Sequence, residues 1–455
     1  MKRFLLYLCS LLAAIVSVAQ NAPKEIALTA EEREQVVSNN NFAFNLFREA
    51  REDESLVLSP LSITYALGML NNGAAGQTLK EINSVLGFTD ADATNAFCRK
   101  MLDESGKVDK GTKVLIANTI YVNEARGYRL LAPFVEKANT YYDAQPETRD
   151  FNDGKTMDVI NQWASDHTEG MITKVLNEDT FDPEAISYLL NAICFKGSWS
   201  MPFVPDITKL ETFYGYGKTT DVQMMRQWEE FDYAENDLCQ SVRLPYGNGG
   251  YEMTVFLPRK GKTLDDLLSG MNGSNWLLMD YEPSYMSLAF PRFETSVDVD
   301  LKPIMSALGM PSAFNMQEAE FPNFCGNELD PHHHVYIDLM KQVARIKVDE
   351  EGTEAAAVTV IGTKDYAAPS DPITFEANRP FLFVISERST GVIFFIGQYM
   401  GADKISALGE SPTPISAPKA EKARNKYAYD LQGRKTENSE MKKGVYIVDG
   451  KKVVK

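Results

Sequence analysis

The chain has 455 residues, with 46 Lys+Arg against 63 Asp+Glu, a formal net charge of −17, 44% hydrophobic residues and 24% charged ones. These figures describe a soluble globular protein with a large core and exclude a disordered, collagenous or multi-span membrane chain. The acidity also argues against a nucleic-acid binder, which needs a basic face to neutralise phosphates.

Met1–Ala19 reads as a signal peptide. Lys2-Arg3 is a basic start, Phe4–Val18 an apolar run, and Ser17 and Ala19 are small residues placed for cleavage. The run is short for a membrane span, and Tyr7-Leu8 before Cys9 do not suit lipidation. The expectation is a secreted protein, extracellular or on the cell surface, with the periplasm as alternative and no membrane span. Residues 20–34 form an N-terminal extension.

A body at 35–402 follows, with helix and strand signals, no internal repeat and no strong linker. Asn41–Ala50 places Phe42 and Leu46 on one helical face. Ser59-Pro60 is an N-cap with proline at the first helical position; the helix runs through Leu61–Leu70 and stops at Asn71-Asn72-Gly73. Lys113–Val122, Tyr188–Phe195, Tyr251–Leu257, Phe381–Ile385 and Val392–Tyr399 read as strands. This is an α+β pattern.

Motifs for catalysis fail in this body. The four histidines are His167 and the run His332-His333-His334. Adjacent histidines on a loop are expected to be solvated, so no metal is assigned. Neither HExxH nor G-x-S-x-G occurs, and Gly217-Lys218-Thr219 lacks the earlier glycine of a phosphate loop, because Thr212 stands there. The cysteines, at 9, 98, 194, 239 and 325, form no CxxC pair and no metal spacing, and read as buried thiols. No cofactor is expected.

Residues 350–372 stand out for the opposite reason. In Glu350-Glu351-Gly352-Thr353-Glu354-Ala355-Ala356-Ala357-Val358-Thr359-Val360, an extended chain puts Thr353, Ala355, Ala357, Thr359 and Ile361 on one face. Glu354, Ala356, Val358 and Val360 take the other. Such a strand could slip between two existing strands, because its inward side chains are small.

Beyond Asp403 the composition changes. Residues 403–425 are a Pro-rich linker around Ser411-Pro412-Thr413-Pro414. In 426–455, Gly444–Val448 and Lys451–Lys455 flank Asp449-Gly450 as a hairpin, with Tyr427–Leu431 as a third strand. Residues 419–455 hold 11 basic and 5 acidic residues, so this end is a different material from the acidic body. Tyr429-Asp430-Leu431-Gln432-Gly433-Arg434 and Lys443–Val448 resemble the C-terminal sorting segments of bacterial type IX secretion.

The body resembles the serpin family. The resemblance rests on Asn41–Leu46, Ser59-Pro60-Leu61-Ser62-Ile63, Asn191–Trp199, Leu244-Pro245-Tyr246, Phe290-Pro291-Arg292-Phe293, the hinge Glu350–Thr359 and Asn378-Arg379-Pro380-Phe381. It implies the serpin fold, with three β-sheets, about nine helices and an exposed reactive-centre loop over 350–372. It also implies a monomer that is not an enzyme. Such a protein is a suicide inhibitor of serine, and by extension cysteine, endopeptidases: the loop is cleaved and inserts into the central sheet.

The hinge would comprise Glu350, Gly352, Thr353, Glu354, Ala355, Ala356, Ala357 and Thr359. Glu350 should pair with Arg292 at the mouth of the sheet, with Trp199 and Asn191 in the same region. Family spacing puts the reactive bond at Tyr366–Ala367, which suits chymotrypsin-like or subtilisin-like proteases; Lys364–Asp365 is the alternative and suits trypsin-like ones. Gln342-Val343-Ala344 departs from the His-Lys-Ala of many serpins. A non-inhibitory carrier or chaperone serpin is the alternative function.

Overall fold

The computed structural model describes residues 22–330, 335–353 and 372–401, together with the backbone of four strands between 427 and 454. The stretch expected to be a signal peptide, the histidine run and 354–371 lie outside the described residues. Two units are distinguished, Met1–Ser406 and Ala407–Lys455.

Eight α-helices occur among the described residues: α1 (Ala30–Ala50), α2 (Pro60–Asn71), α3 (Gly76–Leu86), α4 (Ala91–Val108), α5 (Ala132–Tyr142), α6 (Thr156–His167), α7 (Leu264–Gly270) and α8 (Lys302–Ala307). Helix α1 begins eleven residues before the expected Asn41, because Thr29 and Glu32 form a reciprocal capping box that closes its first turn. Helix α2 starts as expected, with the Ser59 hydroxyl capping Ser62 N–H and Pro60 at the first position. It is buried along its whole length.

Among the described residues three sheets make up the body. The largest has the order β1 (Leu56–Leu58), β17 (Ile393–Tyr399), β16 (Phe381–Glu387), β9 (Tyr251–Pro258), β8 (Cys239–Tyr246), β7 (Thr219–Glu235), β10 (Glu282–Pro291), β15 (Ile373–Glu376), with β6 (Lys209–Tyr214) paired to β7. A two-stranded sheet joins β3 (Tyr128–Leu130) to β12 (Cys325–Asn327). The third sheet positions the site. Its order is β11 (Phe293–Asp300), β13 (Leu339–Val348), β14 (Gly352–Thr353), β5 (Ser187–Ser198), β2 (Lys113–Asn123), β4 (Glu147–Arg149).

One continuous core joins the helices and sheets, from Phe42 and Leu46 of α1 through Ile193 of β5 to Phe395 of β17. Burial removes the period-2 polarity that would mark a one-sided strand: all eight residues of β9 and all seven of β16 and of β17 are buried. Cys98, Cys194, Cys239 and Cys325 are all buried. Burial pushes the Cys239 thiol up to about 11 and that of Cys325 to about 12.

The second unit is a four-stranded antiparallel sheet in the order β19 (Lys435–Glu437), β18 (Tyr427–Asp430), β20 (Val445–Val448), β21 (Lys451–Val454). Val448 faces Lys451 across Asp449-Gly450, where the hairpin was expected. β19 is a strand beyond the three expected there.

Candidate functional site

Strands β5 and β13 run parallel and pair directly from Tyr188–Leu339 to Cys194–Arg345. At one end they part. There the chain turns back after Val348, and Gly352–Thr353 sits between them as a two-residue strand, antiparallel to both. Thr353 faces Val348 on one side and Gly197 on the other; Gly352 faces Ser198.

The seat is tight. Gly352 has φ +154°, and a Cβ there would collide with the Gly197 carbonyl oxygen and come within 2.7 Å of the Ser198 Cα. Only glycine fits such an approach. Thr353 is fully buried, and its hydroxyl shares a hydrogen bond of 2.7 Å with the Tyr246 hydroxyl. Tyr246 stacks on Trp199 at 4.4 Å between ring centroids. Trp199 in turn holds the turn before the wedge: its backbone N–H donates to Glu351 O and its indole Nε1–H to Asp349 O, each at 2.9 Å.

Glu350 anchors the same turn. The residue is 5% exposed, and its carboxylate receives Arg292 Nη2–H on both oxygens, at 2.6 and 2.7 Å, and Nε–H on Oε2 at 3.1 Å. The Thr208 hydroxyl donates to Oε1 at 2.7 Å. Burial opposes the charge on Glu350, yet the hydrogen bonds from Arg292 and Thr208 outweigh it and hold the carboxyl below its usual range. Phe203 N–H binds the Glu350 carbonyl at 2.8 Å.

Further along the same pair of strands, Gln342 of β13 lies directly opposite Asn191 of β5. The Gln342 amide donates to Asn191 Oδ1 at 2.8 Å and to Ser59 O at 3.1 Å, and accepts from Ser59 N–H at 3.1 Å. Asn191 donates to Asn118 Oδ1 at 2.7 Å. This clasp ties both strands to the start of α2, and all four side chains are buried.

Outside the sheet, Glu169 follows α6 with φ +52° and reaches Lys113 and Lys196 Nζ, each at 2.7 Å. The two lysines hold its carboxyl down to about 2.

Of the residues expected at the mouth of the sheet, Arg292, Trp199, Glu350, Gly352 and Thr353 come together. Asn191 does not. It stands seven residues from Ser198 along an extended strand, about 23 Å away at 3.3 Å per residue, and belongs to the clasp. Glu354, Ala355, Ala356, Ala357, Thr359, Lys364, Asp365, Tyr366, Ala367 and His332-His333-His334 lie outside the described residues. Sequence reasoning gave no role to Thr208, Tyr246 or Gly197; the run Leu244-Pro245-Tyr246 carried a resemblance but no partner for its tyrosine. Among the described residues no group of three His, Cys, Asp or Glu side chains is arranged to hold a metal, and no helix is long and apolar enough to cross a membrane.

Comparison with known proteins agrees with this arrangement. A family profile described as Serpin (serine protease inhibitor) matches residues 37–402. An uncharacterised serpin-like protein of Thermococcus kodakarensis is 30% identical over 384 residues, covering 83% of this chain and 88% of its own. The native structure of the thermophilic serpin tengpin superposes with a TM-score of 0.75 at 27% identity, over 83% of this chain and 96% of that one. Thyroxine-binding globulin in complex with thyroxine gives 0.71 at 25% identity, over 82% of this chain and all of that one. With the profile spanning the whole body, the chain belongs to the serpin family, whose members are in general protease inhibitors rather than enzymes.

Proposed function

We propose that this protein traps endopeptidases of the serine class, and by extension cysteine ones, through cleavage of the loop after Thr353 and insertion of that loop into the six-stranded sheet. The observation that carries the proposal is the wedge: Gly352–Thr353 is already paired on both edges between β5 and β13. A strand that has begun in register needs only to be extended. Each further residue finds two partner strands, provided the seven direct β5–β13 pairs give way.

Register and composition support this. Continuing the pairing sets Ala355, Ala357 and Thr359 on the inward face with Thr353, and none of them carries charge or bulk. Thr359 would arrive between Asn191 and Gln342, where a hydroxyl can join the amide clasp. From Thr353 to Tyr366 an inserted strand spans ~46 Å. About ten new ladder bonds at ~1 kcal/mol each give on the order of 10 kcal/mol, comparable with the stability of a whole domain. The uninserted state is then held kinetically.

The proposed reactive bond is Tyr366–Ala367, presented to chymotrypsin-like or subtilisin-like proteases by a monomer, with Lys364–Asp365 as the alternative. The proposed place of work is outside the cell or at its surface, with 426–455 as an address. Likeness to thyroxine-binding globulin favours a second reading, a carrier whose loop is cut without trapping. Incubation with chymotrypsin and subtilisin followed by a denaturing gel separates the two. A covalent adduct retained in SDS supports the trap, and cleavage with no adduct across a broad protease panel overturns it. Mass spectrometry of the released C-terminal fragment locates the bond.

A further inference from the structure

The outer face of the six-stranded sheet carries an unbalanced row of charge beside the wedge. Lys113 of β2 faces Lys196 of β5 in direct register, and Glu294 of β11 faces Lys347 of β13. All four side chains are at least partly open to solvent. Two lysines directly opposite each other repel, and Glu169 relieves that pair from outside the sheet. Lys347 is served less well. Arg345 engages Glu294 at 2.7 Å, which leaves Lys347 with Asp349 at 3.9 Å.

Between Lys196 and Lys347 runs the track along which β14 points. Thr353 faces Gly197 and Val348, so the next register position in both ladders faces Lys196 and Lys347. Thr353 is buried, so an extended continuation of the strand would turn its next side chain to the opposite, outer face, where the lysines stand. Resting on the insertion reading above, we infer that Lys196 and Lys347 form a cationic slot for the carboxylate of Glu354, the residue that follows the wedge, when the inserted strand is extended. Cross-strand neighbours sit about 4.5–5.5 Å apart at Cβ, so one carboxylate there reaches both ammonium groups. Glu169 then sits beside Lys113 and Lys196, and Glu354 between Lys196 and Lys347. The slot selects an acidic residue at this register and penalises a basic one. It also fixes the register of the first step, because a one-residue slip turns the carboxylate toward the buried face.

A double-mutant cycle tests the slot on the full-length protein after cleavage in the loop by any protease that cuts there. Glu354→Lys, Lys347→Glu, the combination and wild type are each scanned for thermal unfolding, uncut and cut, in fixed urea at low salt, which denatures without screening charge. The cut wild type unfolds at a higher temperature than the uncut one; if it does not, the insertion reading itself is overturned, and this one with it. Given that gain, Glu354→Lys loses several degrees of it while the uncut protein is unchanged, and adding Lys347→Glu restores part of the loss. Equal losses for Glu354→Lys in both backgrounds, or no loss at all, overturn the slot while leaving insertion standing. Glu354→Gln gives a smaller loss of the same sign and guards against disruption by the longer side chain.

Discussion

Gln342 and Asn191 face each other across two strands that have no covalent connection for 151 residues, joined by an amide hydrogen bond of 2.8 Å. The bond lies in the middle of the one seam that proposed insertion must open. Its neighbours are the Ser59 backbone and Asn118. The clasp is therefore built of neutral amides and backbone groups, and nothing in it titrates near neutrality.

Replacing Gln342 by leucine removes three hydrogen bonds and strands buried polar groups of Ser59 and Asn191. A loss of about 2–4 kcal/mol in urea unfolding is expected, since each unsatisfied buried group costs on the order of 1 kcal/mol or more. Gln342→His should give the clasp a pH dependence that wild type lacks. Burial lowers the folded-state pKa of the new imidazole, so the unfolded chain binds more protons; stability then falls as pH drops below about 6.5, by up to ~1.4 kcal/mol per pH unit. Parallel unfolding curves at pH 8 and pH 5.5 check this, and identical shifts for mutant and wild type count against it.

The Arg292–Glu350 pair makes a different pH prediction. The Glu350 carboxyl is held below its usual range in the folded protein. Its contribution is thus fully present above the unfolded-chain value near 4.3 and is lost as pH falls through the lowered folded value. Arg292 is nearly half exposed, so the pair is discounted to about 1–3 kcal/mol. Glu350→Gln should lose that amount at pH 7 and flatten the acid limb of the stability curve. Hydrogen exchange at Trp199, Phe203 and Gly352 N–H groups should quicken in the same variant.

Gly352→Ala should expel the wedge. A methyl group cannot share space with the Gly197 carbonyl, and φ +154° is strained for alanine. With Thr353 unseated, Tyr246 and Trp199 lose their cover. Limited proteolysis between Asp349 and Thr353 should accelerate by an order of magnitude or more, with the rest of the fold intact by circular dichroism. Unchanged cleavage would mean that the wedge is not held by this contact.

Thr353→Arg addresses the trap itself. The position is fully buried beneath Tyr246, and an arginine there is an unpaired charge in the sheet. The variant should still be cut by the target protease but as a substrate, with turnover replacing SDS-stable adduct. Unchanged stoichiometry would end the insertion argument.

Much of this was legible in the chain because it is local. The Ser59-Pro60 start of α2 and the apolar strands at 188–195 and 251–257 are written within a few residues of themselves. What escaped was lateral. Asn191 could not be placed at the clasp rather than the mouth without knowing the β5–β13 register, and that register joins residues about 150 positions apart. Tyr246 meets Thr353 across 107 residues, and Glu169 gathers lysines 56 and 27 positions away. Thr29 and Glu32 are the exception: their spacing carried the capping signal, and only the polar residues after them disguised the helix.

The buried sulfurs carry one more consequence. Cys98, Cys194, Cys239 and Cys325 lie within the packed interior, and burial raises the thiols of Cys98, Cys239 and Cys325 above their ordinary range. Thiolate is the form that exchanges or oxidises, and Cys98, Cys239 and Cys325 offer almost none of it, while Cys194 is shielded by burial. Dithiothreitol and glutathione disulfide should then leave the same folded body behind. Its shape is indifferent to the redox state of whatever compartment surrounds it.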